Sequence, residues 1–494
     1  MAQVFAAEGN NTIDYSVRLV GLDNKIEQAI TDFNLPSLAL AVVVNGEVIK
    51  VKGYGNRDIS QNIPATVDTQ YSIGSSTKAF TSLMLGTLVD DGKLEWDAAV
   101  KNYLPQWKMH DDYATSHVTL RDMLSHRTGL ARHEFIWYAN ANLTIDDLLK
   151  KLPNLESSKE LRQGFEYNNL MYAMAGYLAE TITAQHWEQL IQGRILDKLN
   201  MTSTSLNYTR MQASGNYSLP YEEDGQVLKK ISFNKNIGGV MRPAGVINSS
   251  AKDMSKWLQV LLDNGQYNGQ QVIQKASLEQ LQSPQIAITG MTQYADISPL
   301  SYGMGWFTQS YKGHYQVQHG GNIDGYTSAV FTYPKDKIGI VVLTNKNNSP
   351  VPHALALAIS DSLFNIKDGE HLAKSLLKKQ SQTEVNTLTA IQKNSKNKLK
   401  PTFKLSEYTG NYYNHGYGEV CIEIVANGLQ VSYMDIQEQF EHDELNTFVS
   451  RNTFKYGIFE GERLSFNIDD KGVVAVNLPF EQALGGIKFT KLED

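Results

Sequence analysis

Tyr71-Ser-Ile-Gly-Ser-Ser-Thr-Lys-Ala-Phe-Thr81 sets a serine, Ser75, three residues ahead of a lysine, Lys78. A serine hydroxyl is a weak nucleophile at neutral pH and needs a base beside it. If a helix begins here, a spacing of three puts Lys78 one turn above Ser75 on the same face. The apolar residues that follow, Phe80, Leu83, Met84 and Leu88, recur at helical spacing and predict a helix ending near Asp91-Gly92. Ser75 would then sit at its N-terminus, where backbone N–H groups and the helix dipole favour developing negative charge. Ser-x-x-Lys also occurs at Ser232/Lys235, Ser249/Lys252, Ser375/Lys378 and Ser395/Lys398. What sets Ser75 apart is Gly74 before it, Thr77 beside the lysine and the apolar helix pattern after it.

Two further stretches lie downstream. Phe165-Glu-Tyr-Asn-Asn169 supplies Tyr167 and Asn169, and Val317-Gln-His-Gly-Gly-Asn-Ile-Asp-Gly-Tyr326 supplies His319, Gly321 and Asn322. Tyr-x-Asn alone is not distinctive, since Tyr54/Asn56 and Tyr138/Asn140 match it too. Taken singly, Tyr167 reads as a core tyrosine and His319 as a strand histidine. The order of all three motifs is what carries information.

In that order the chain resembles the serine β-lactamase and penicillin-binding-protein superfamily. Within it, the chain is similar to the class C-like branch with the family VIII esterases and D-aminopeptidases, which carry Ser-x-x-Lys, Tyr-x-Asn and Lys/His-x-Gly. Leu35–Gly46, Thr119–Leu130, Arg242–Met254 and Tyr302-Gly-Met-Gly-Trp306 extend the likeness over roughly residues 15 to 365. The resemblance implies an α/β (α+β) catalytic domain with an antiparallel sheet flanked by helices, a helical lobe, and the site between the lobes. It implies Ser75 as nucleophile, with Lys78 and Tyr167 sharing the general-base work. Asn169 would hold Lys78 or the substrate amide, and the backbone N–H groups of Ser75 and Asn322 would hold the oxyanion, with His319 and Gly321 lining the same strand. Where class A enzymes carry Ser-Asp-Asn and Lys-Thr-Gly, this chain carries a tyrosine and a histidine. A lysine in the third motif would face a substrate carboxylate with a permanent charge, whereas histidine is mostly neutral at pH 7. That substitution favours an esterase, amidase or peptidase over an antibiotic-directed enzyme.

At 494 residues, with 41% hydrophobic and 20% charged residues, the chain has core enough for more than one domain. A formal net charge of −7 argues against nucleic acid or an anionic membrane as partner. The single cysteine, Cys421, excludes an internal disulfide and a cysteine-rich metal site. The histidines show no metal-ligand spacing such as His-Glu-x-x-His, and Gly53-Tyr-Gly55 lacks the third glycine of a dinucleotide fingerprint, so neither metal nor cofactor is expected. No stretch approaches the roughly 20 apolar residues that span a bilayer. Val4-Phe5-Ala6-Ala7 reads as the remnant of a cleaved leader, which leaves a periplasmic or secreted location slightly ahead of a cytoplasmic one.

Leu22, Ile26, Ile30 and Phe33 predict an amphipathic helix over 20–33. Residues 38–44 and 47–53 predict a hairpin about Asn45-Gly46. A helix-rich stretch follows over 76–200. Ala329–Tyr333 and Ile338–Thr344 predict paired strands, and His353–Leu363 a helix. Residues 366–402, with Lys378, Lys379, Lys393, Lys396, Lys398 and Lys400, read as a polar linker with a solvated helix. Residues 403–494 alternate like short strands, with turn signals at Gly410, Asn427-Gly428, Gly461-Glu462 and Asp469–Gly472. They predict a small all-β, barrel-like domain, and Tyr408-Thr-Gly-Asn-Tyr-Tyr413 resembles the start of the lipocalin-like domain attached to some of these hydrolases. The domains expected are therefore 15–365 (catalytic), 366–402 (linker) and 403–494 (C-terminal).

The chemistry expected is acyl transfer from a small-molecule or short-peptide substrate through an acyl-enzyme on Ser75. Ester or amide hydrolysis, including D-aminoacyl or peptide bonds, leads. A β-lactamase or DD-peptidase, an acyltransferase using the same acyl-enzyme, and a non-catalytic binder that keeps the fold are the alternatives, and a homo-oligomer is open. His126 in Ser-His-Arg-Thr-Gly-Leu reads as structural rather than as a triad base. The turn Asn414-His-Gly-Tyr-Gly418 reads either as a flexible specificity element over the cleft or as part of a plain stability module.

Overall fold

The fold is read from a computed structural model that describes residues 14–138, 140–225, 227–234, 236–289, 296–366, 374, 377, 399–426, 428–450, 462–470 and 472–493. The proposed leader remnant at Val4–Ala7, Lys235, Lys378, Lys379, Lys393, Lys396, Lys398, Asn427 and Gly461 lie outside those residues.

A nine-stranded antiparallel sheet forms the frame. In chain order its strands are β1 (Ser37–Val44), β2 (Glu47–Asp58), β3 (Ile63–Pro64), β4 (Ile286–Ala287), β5 (Ser301–Tyr302), β6 (Phe307–Tyr311), β7 (His314–Ile323), β8 (Tyr326–Tyr333) and β9 (Ile338–Thr344). Their spatial order is β4-β5-β6-β7-β8-β9-β1-β2-β3, so strands from the two ends of the domain meet at β9 and β1. The predicted hairpin forms: Asn45 and Gly46 both take positive φ, 53° and 83°, as a tight two-residue turn requires. β1, β8 and β9 are buried along their whole length, which explains why they read as apolar runs rather than as alternating strands.

Helices cover both faces. α1 (Leu22–Asp32) and the late α7 (Val351–Leu363) pack with one face of the sheet in a core of Leu38, Leu40, Val42, Phe331, Ile340 and Val342. The other face carries α2 (Thr77–Asp90), α3 (Leu120–Leu124), α4 (Asn169–Thr183), α5 (Arg242–Gly245) and α6 (Ala251–Leu262). The apolar pattern after Ser75 predicts a buried-type helix, and α2 is one. In the structure every residue from Thr77 to Leu88 is buried, because α2 runs through the middle of the helical layer, with Phe80 stacked on Trp257 at 3.8 Å between ring centres. Ser75 itself lies in a 3₁₀ turn, Gly74–Ser76, leading into α2.

The C-terminal region closes into an eight-stranded antiparallel barrel: β10 (Gly410–Asn414), β11 (Gly418–Val425), β12 (Gly428–Tyr433), β13 (Ile436–Glu444), β14 (Thr447–Ser450), β15 (Arg463–Asp469), β16 (Gly472–Leu478) and β17 (Ile487–Lys491). Each strand pairs with the next, and β10 pairs with β17. Tyr412, Tyr417, Tyr433, Phe440, Phe448, Phe466 and Phe489 are buried in it. The barrel's core continues into that of the first domain, where Phe480 stacks on Phe135 at 4.6 Å. Among the described residues no helix is long and apolar enough to cross a membrane.

Candidate active site

The start of α2 is pinned against β7 by close backbone approach. Gly74 has φ +51°, and a β-carbon there would lie 2.9 Å from the Asn322 nitrogen. A β-carbon on Gly321 would lie 1.8 Å from the Ile73 carbonyl oxygen. Both positions therefore need glycine. Ser76, turned away from the cleft, ties the contact down with hydrogen bonds to the His319 carbonyl (3.2 Å) and to Ser328 Oγ (3.0 Å).

Lys78 is fully buried, and its Nζ sits 3.1 Å from Ser75 Oγ and 3.0 Å from the Ala244 carbonyl oxygen on α5. Burial drives its pKa well below the ordinary lysine range. Glu134 opposes this from a distance, and Arg132 adds to it. Burial raises the Tyr167 phenol pKa above the usual tyrosine range, and the nearby Ser75 hydroxyl offsets this only in part. The Lys78 amine lies 4.9 Å from the Tyr167 ring centre and 5.3 Å from that of Tyr172. Ser75, Lys78 and Tyr167 are thus brought together as the sequence motifs predict.

Asn169 takes another partner than expected. Its Nδ2 donates to both carboxylate oxygens of Glu134, at 2.9 and 3.1 Å, while its buried Oδ1 is left without a hydrogen-bond donor. Arg132 pairs with Glu134 at 3.4 Å and lies 5.1 Å from the Tyr167 ring centre, with 45% of its side chain exposed. The sequence motifs gave no signal for Arg132 or Glu134, and the Arg242–Met254 stretch did not mark Ala244 as a partner of Lys78. They come from a loop and a short helix whose positions only the fold determines.

His319 is buried, and its pKa falls to about 3, chiefly by burial and then by the nearby Lys78. Its Nδ1 lies 2.5 Å from the Gly320 carbonyl oxygen, and Nε2 lies 2.9 Å from Tyr302 Oη. A carbonyl only accepts, so Nδ1 carries the proton and Nε2 accepts from Tyr302. Asn322 pairs with Thr327, next to the Ile323/Tyr326 pair that closes the two-residue turn Asp324-Gly325. Antiparallel pairs alternate, so Asn322/Thr327 is a non-hydrogen-bonded pair and the Asn322 N–H points away from β8. That is the edge on which Gly74 and Ser75 lie.

His126 is buried with φ +57° and accepts the Asn168 backbone N–H at Nδ1 (3.0 Å), so its proton is on Nε2. Its ring packs 4.2 Å from that of Tyr167. It supports the tyrosine rather than serving Ser75. The competing motif copies have other company. Ser249 bonds Thr204 and Lys252 pairs with Asp68, Tyr54 donates to Asp23, and Tyr138 donates to Asp324. Among the described residues no cluster of His, Cys, Asp or Glu could hold a metal ion.

The turn at 414–418 packs against the first domain. His415 is exposed, but Tyr417 is buried, and its hydroxyl meets His133 Nδ1 at 2.8 Å.

Comparison with known proteins agrees with this arrangement. A family model described as Beta-lactamase matches residues 22–362, and one described as Domain of unknown function (DUF3471) matches 394–491. The chain is 29% identical over 430 residues to a protein named unguisins hydrolase ungD' from Aspergillus campestris, covering 80% of this chain and 76% of that one. It is 26% identical over 373 residues to Protein flp of Staphylococcus aureus, covering 74% and 71%. The octameric penicillin-binding protein homologue from Pyrococcus abyssi shares the fold, with a TM-score of 0.64 at 20% identity over 97% of this chain and 100% of that one. A class C β-lactamase superposes with a TM-score of 0.58 at 18% identity, covering 73% and 99%. The fold is that of the serine-hydrolase and penicillin-binding-protein superfamily, and the Beta-lactamase model spans more than half of the sequence: the chain belongs to the Beta-lactamase family.

Proposed function

We propose that the protein is a serine hydrolase that cleaves ester or amide bonds, D-aminoacyl or short peptide bonds included, through an acyl-enzyme on Ser75. The observation that carries this is the buried Lys78 amine 3.1 Å from Ser75 Oγ. Burial pushes both Lys78 and Tyr167 toward their neutral forms. A neutral amine is a base and a neutral phenol is an acid, which supports Lys78 as the acceptor of the Ser75 proton. Ser75 Oγ then bonds to the substrate carbonyl carbon. The oxyanion is held by the N–H groups of Ser75 and Asn322. Tyr167 protonates the leaving group as its bond breaks, and the Lys78 ammonium returns a proton to Tyr167. Water repeats the sequence on the acyl-enzyme and releases the acid. Asn169, whose buried Oδ1 has no donor, would hold Lys78 or the substrate amide, and His319 and Gly321 shape the strand along which the substrate lies.

His319, neutral and with both ring nitrogens engaged, offers no cation to an antibiotic carboxylate, which supports ester and amide substrates over β-lactams. The hydrolase name of the Aspergillus relative supports water over another acyl acceptor. The octameric state of the Pyrococcus homologue supports a homo-oligomer here. We place the catalytic domain at 15–365, a linker at 366–402 and the barrel at 403–494. The eight sequentially paired strands support the lipocalin-like reading of that barrel. The test is a panel of short esters, D- and L-aminoacyl amides and a chromogenic cephalosporin, with products analysed in the presence of an added amine. An ester or aminoacyl amide should be hydrolysed with the highest kcat/KM. A cephalosporin exceeding every ester and amide, or aminolysis replacing hydrolysis, would overturn the reading.

A further inference from the structure

Segment 131–138 joins the barrel to the reacting groups. His133 is fully buried in a left-handed conformation, φ +48°, that a residue with a β-carbon adopts at a cost. Three of its polar atoms reach partners outside the segment. The backbone N–H donates to Glu481 Oε2 (2.7 Å), Nε2 meets the Glu156 carbonyl (2.8 Å), and Nδ1 meets Tyr417 Oη (2.8 Å). The carbonyl fixes the proton on Nε2, so Nδ1 accepts from the Tyr417 hydroxyl. Two of the three partners thus belong to the barrel. Lys151 adds hydrogen bonds to the carbonyls of Gly416 (2.9 Å) and Tyr417 (3.1 Å).

The residues on either side of His133 face the chemistry. Arg132 lies against the Tyr167 ring and Glu134 holds Asn169. Tyr138, farther along, donates to Asp324 in the turn that follows Asn322 (3.0 Å). Asn168 closes the loop by donating to the Ala131 carbonyl (2.6 Å). A shift of this one segment would move partners of Tyr167, Asn169 and the β7–β8 turn together.

We propose that His133 is a positioning residue through which the barrel holds Arg132 and Glu134 against Tyr167 and Asn169. Tyr417 and Glu481 are the barrel's two handles on it. The barrel is then part of what makes the cleft competent, although it supplies no reacting atom. This rests on Ser75, Lys78 and Tyr167 being the reacting groups.

The test measures kcat, KM and thermal melting with p-nitrophenyl acetate in the full chain. The variants are Tyr417→Phe, Glu481→Gln, Glu134→Gln, and each barrel variant combined with Glu134→Gln. Tyr417→Phe and Glu481→Gln should each lower kcat about 3- to 10-fold, the scale of one lost hydrogen bond, with KM within about twofold. In the Glu134→Gln background their effect should shrink to less than about twofold, because the carboxylate that pairs with Arg132 and takes both Asn169 bonds is already gone. His415→Ala, an exposed change two residues from Tyr417, should retain full kcat. Full kcat in both single variants would overturn the inference, as would losses that add in the doubles or that follow melting temperature alone. The two barrel variants perturb different atoms, so poor folding of one leaves the other decisive. Ser75→Ala separates the layers: turnover that survives it removes the catalytic reading and this inference with it. Turnover lost in Ser75→Ala alongside additive doubles removes the inference alone.

Discussion

Lys78 Nζ lies between Ser75 Oγ, at 3.1 Å, and the Ala244 carbonyl, at 3.0 Å, and both of these partners are uncharged. An ammonium there would give up its water without gaining a carboxylate in hydrogen-bond contact. Glu134 attracts it only from a distance, and burial prevails. Burial thus favours the free amine of Lys78 beside the Ser75 hydroxyl.

That arrangement has a thermodynamic signature. In the unfolded chain the Lys78 amine stays protonated to about pH 10, whereas the folded site favours the neutral form. The unfolded state therefore binds more protons, and this residue's contribution to stability rises with pH until the unfolded amine itself deprotonates. Lys78→Met should abolish ester turnover while raising the melting temperature, with a larger gain at about pH 7 than at about pH 9. A melting temperature that falls equally at both pH values would show that Lys78 is charged in the fold.

The pH–rate profile should carry no histidine limb from His319. With its pKa near 3, that ring is already neutral over the range in which enzymes are normally assayed. His319→Gln should therefore leave the shape of the kcat/KM profile unchanged between about pH 5 and pH 9, even if its height falls. An inflection near pH 6.5 that disappears in the variant would contradict this.

Tyr167→Phe should keep the ring that packs on His126 and under Arg132, and remove only the hydroxyl near Ser75. We expect kcat to fall about 10²- to 10³-fold, the range for losing a positioned acid or base. Melting should change by no more than a few degrees, as expected for a loss of about 1 kcal/mol. Wild-type kcat in this variant would take Tyr167 out of the proton path.

Much of this site was legible in the sequence. Ser75, Lys78 and Tyr167 each stand in a motif, and Gly74 and Gly321 sit where strand β7 presses on the start of α2. The hairpin at Asn45-Gly46 and the β8–β9 pair follow from turn chemistry and apolar runs. Arg132, Glu134 and His133 were not legible. They follow the Thr119–Leu130 motif with no periodicity of their own, and their roles arise from contacts spanning 35 to 348 residues of sequence, such as Asn169 to Glu134 and His133 to Glu481. Tyr417 was singled out, but its packing on His133 was not legible. The glycines around it suggested a free turn, but a β-carbon on Gly416 would lie 2.8 Å from the Asn154 carbonyl oxygen. They allow close packing instead.

The same logic makes Gly321 a stability test. Gly321→Ala would drive a methyl into the Ile73 carbonyl, so the start of α2 and β7 must separate. We expect a loss of about 2–4 kcal/mol, measured by denaturant titration, as for overpacking at an unyielding backbone contact. A loss below about 0.5 kcal/mol would mean that the two elements are not held as close as described.

The central claim is tested most directly by trapping the acyl-enzyme. The full-length protein would be acid-quenched during turnover of p-nitrophenyl acetate, weighed intact and mapped by peptide mass spectrometry. The account predicts a single acetyl group per chain, on Ser75, absent in Ser75→Ala, whose kcat should be lower by about 10³-fold or more. Acetyl on Ser232 or Ser249, or turnover of the ester with Ser75 never modified, would contradict it.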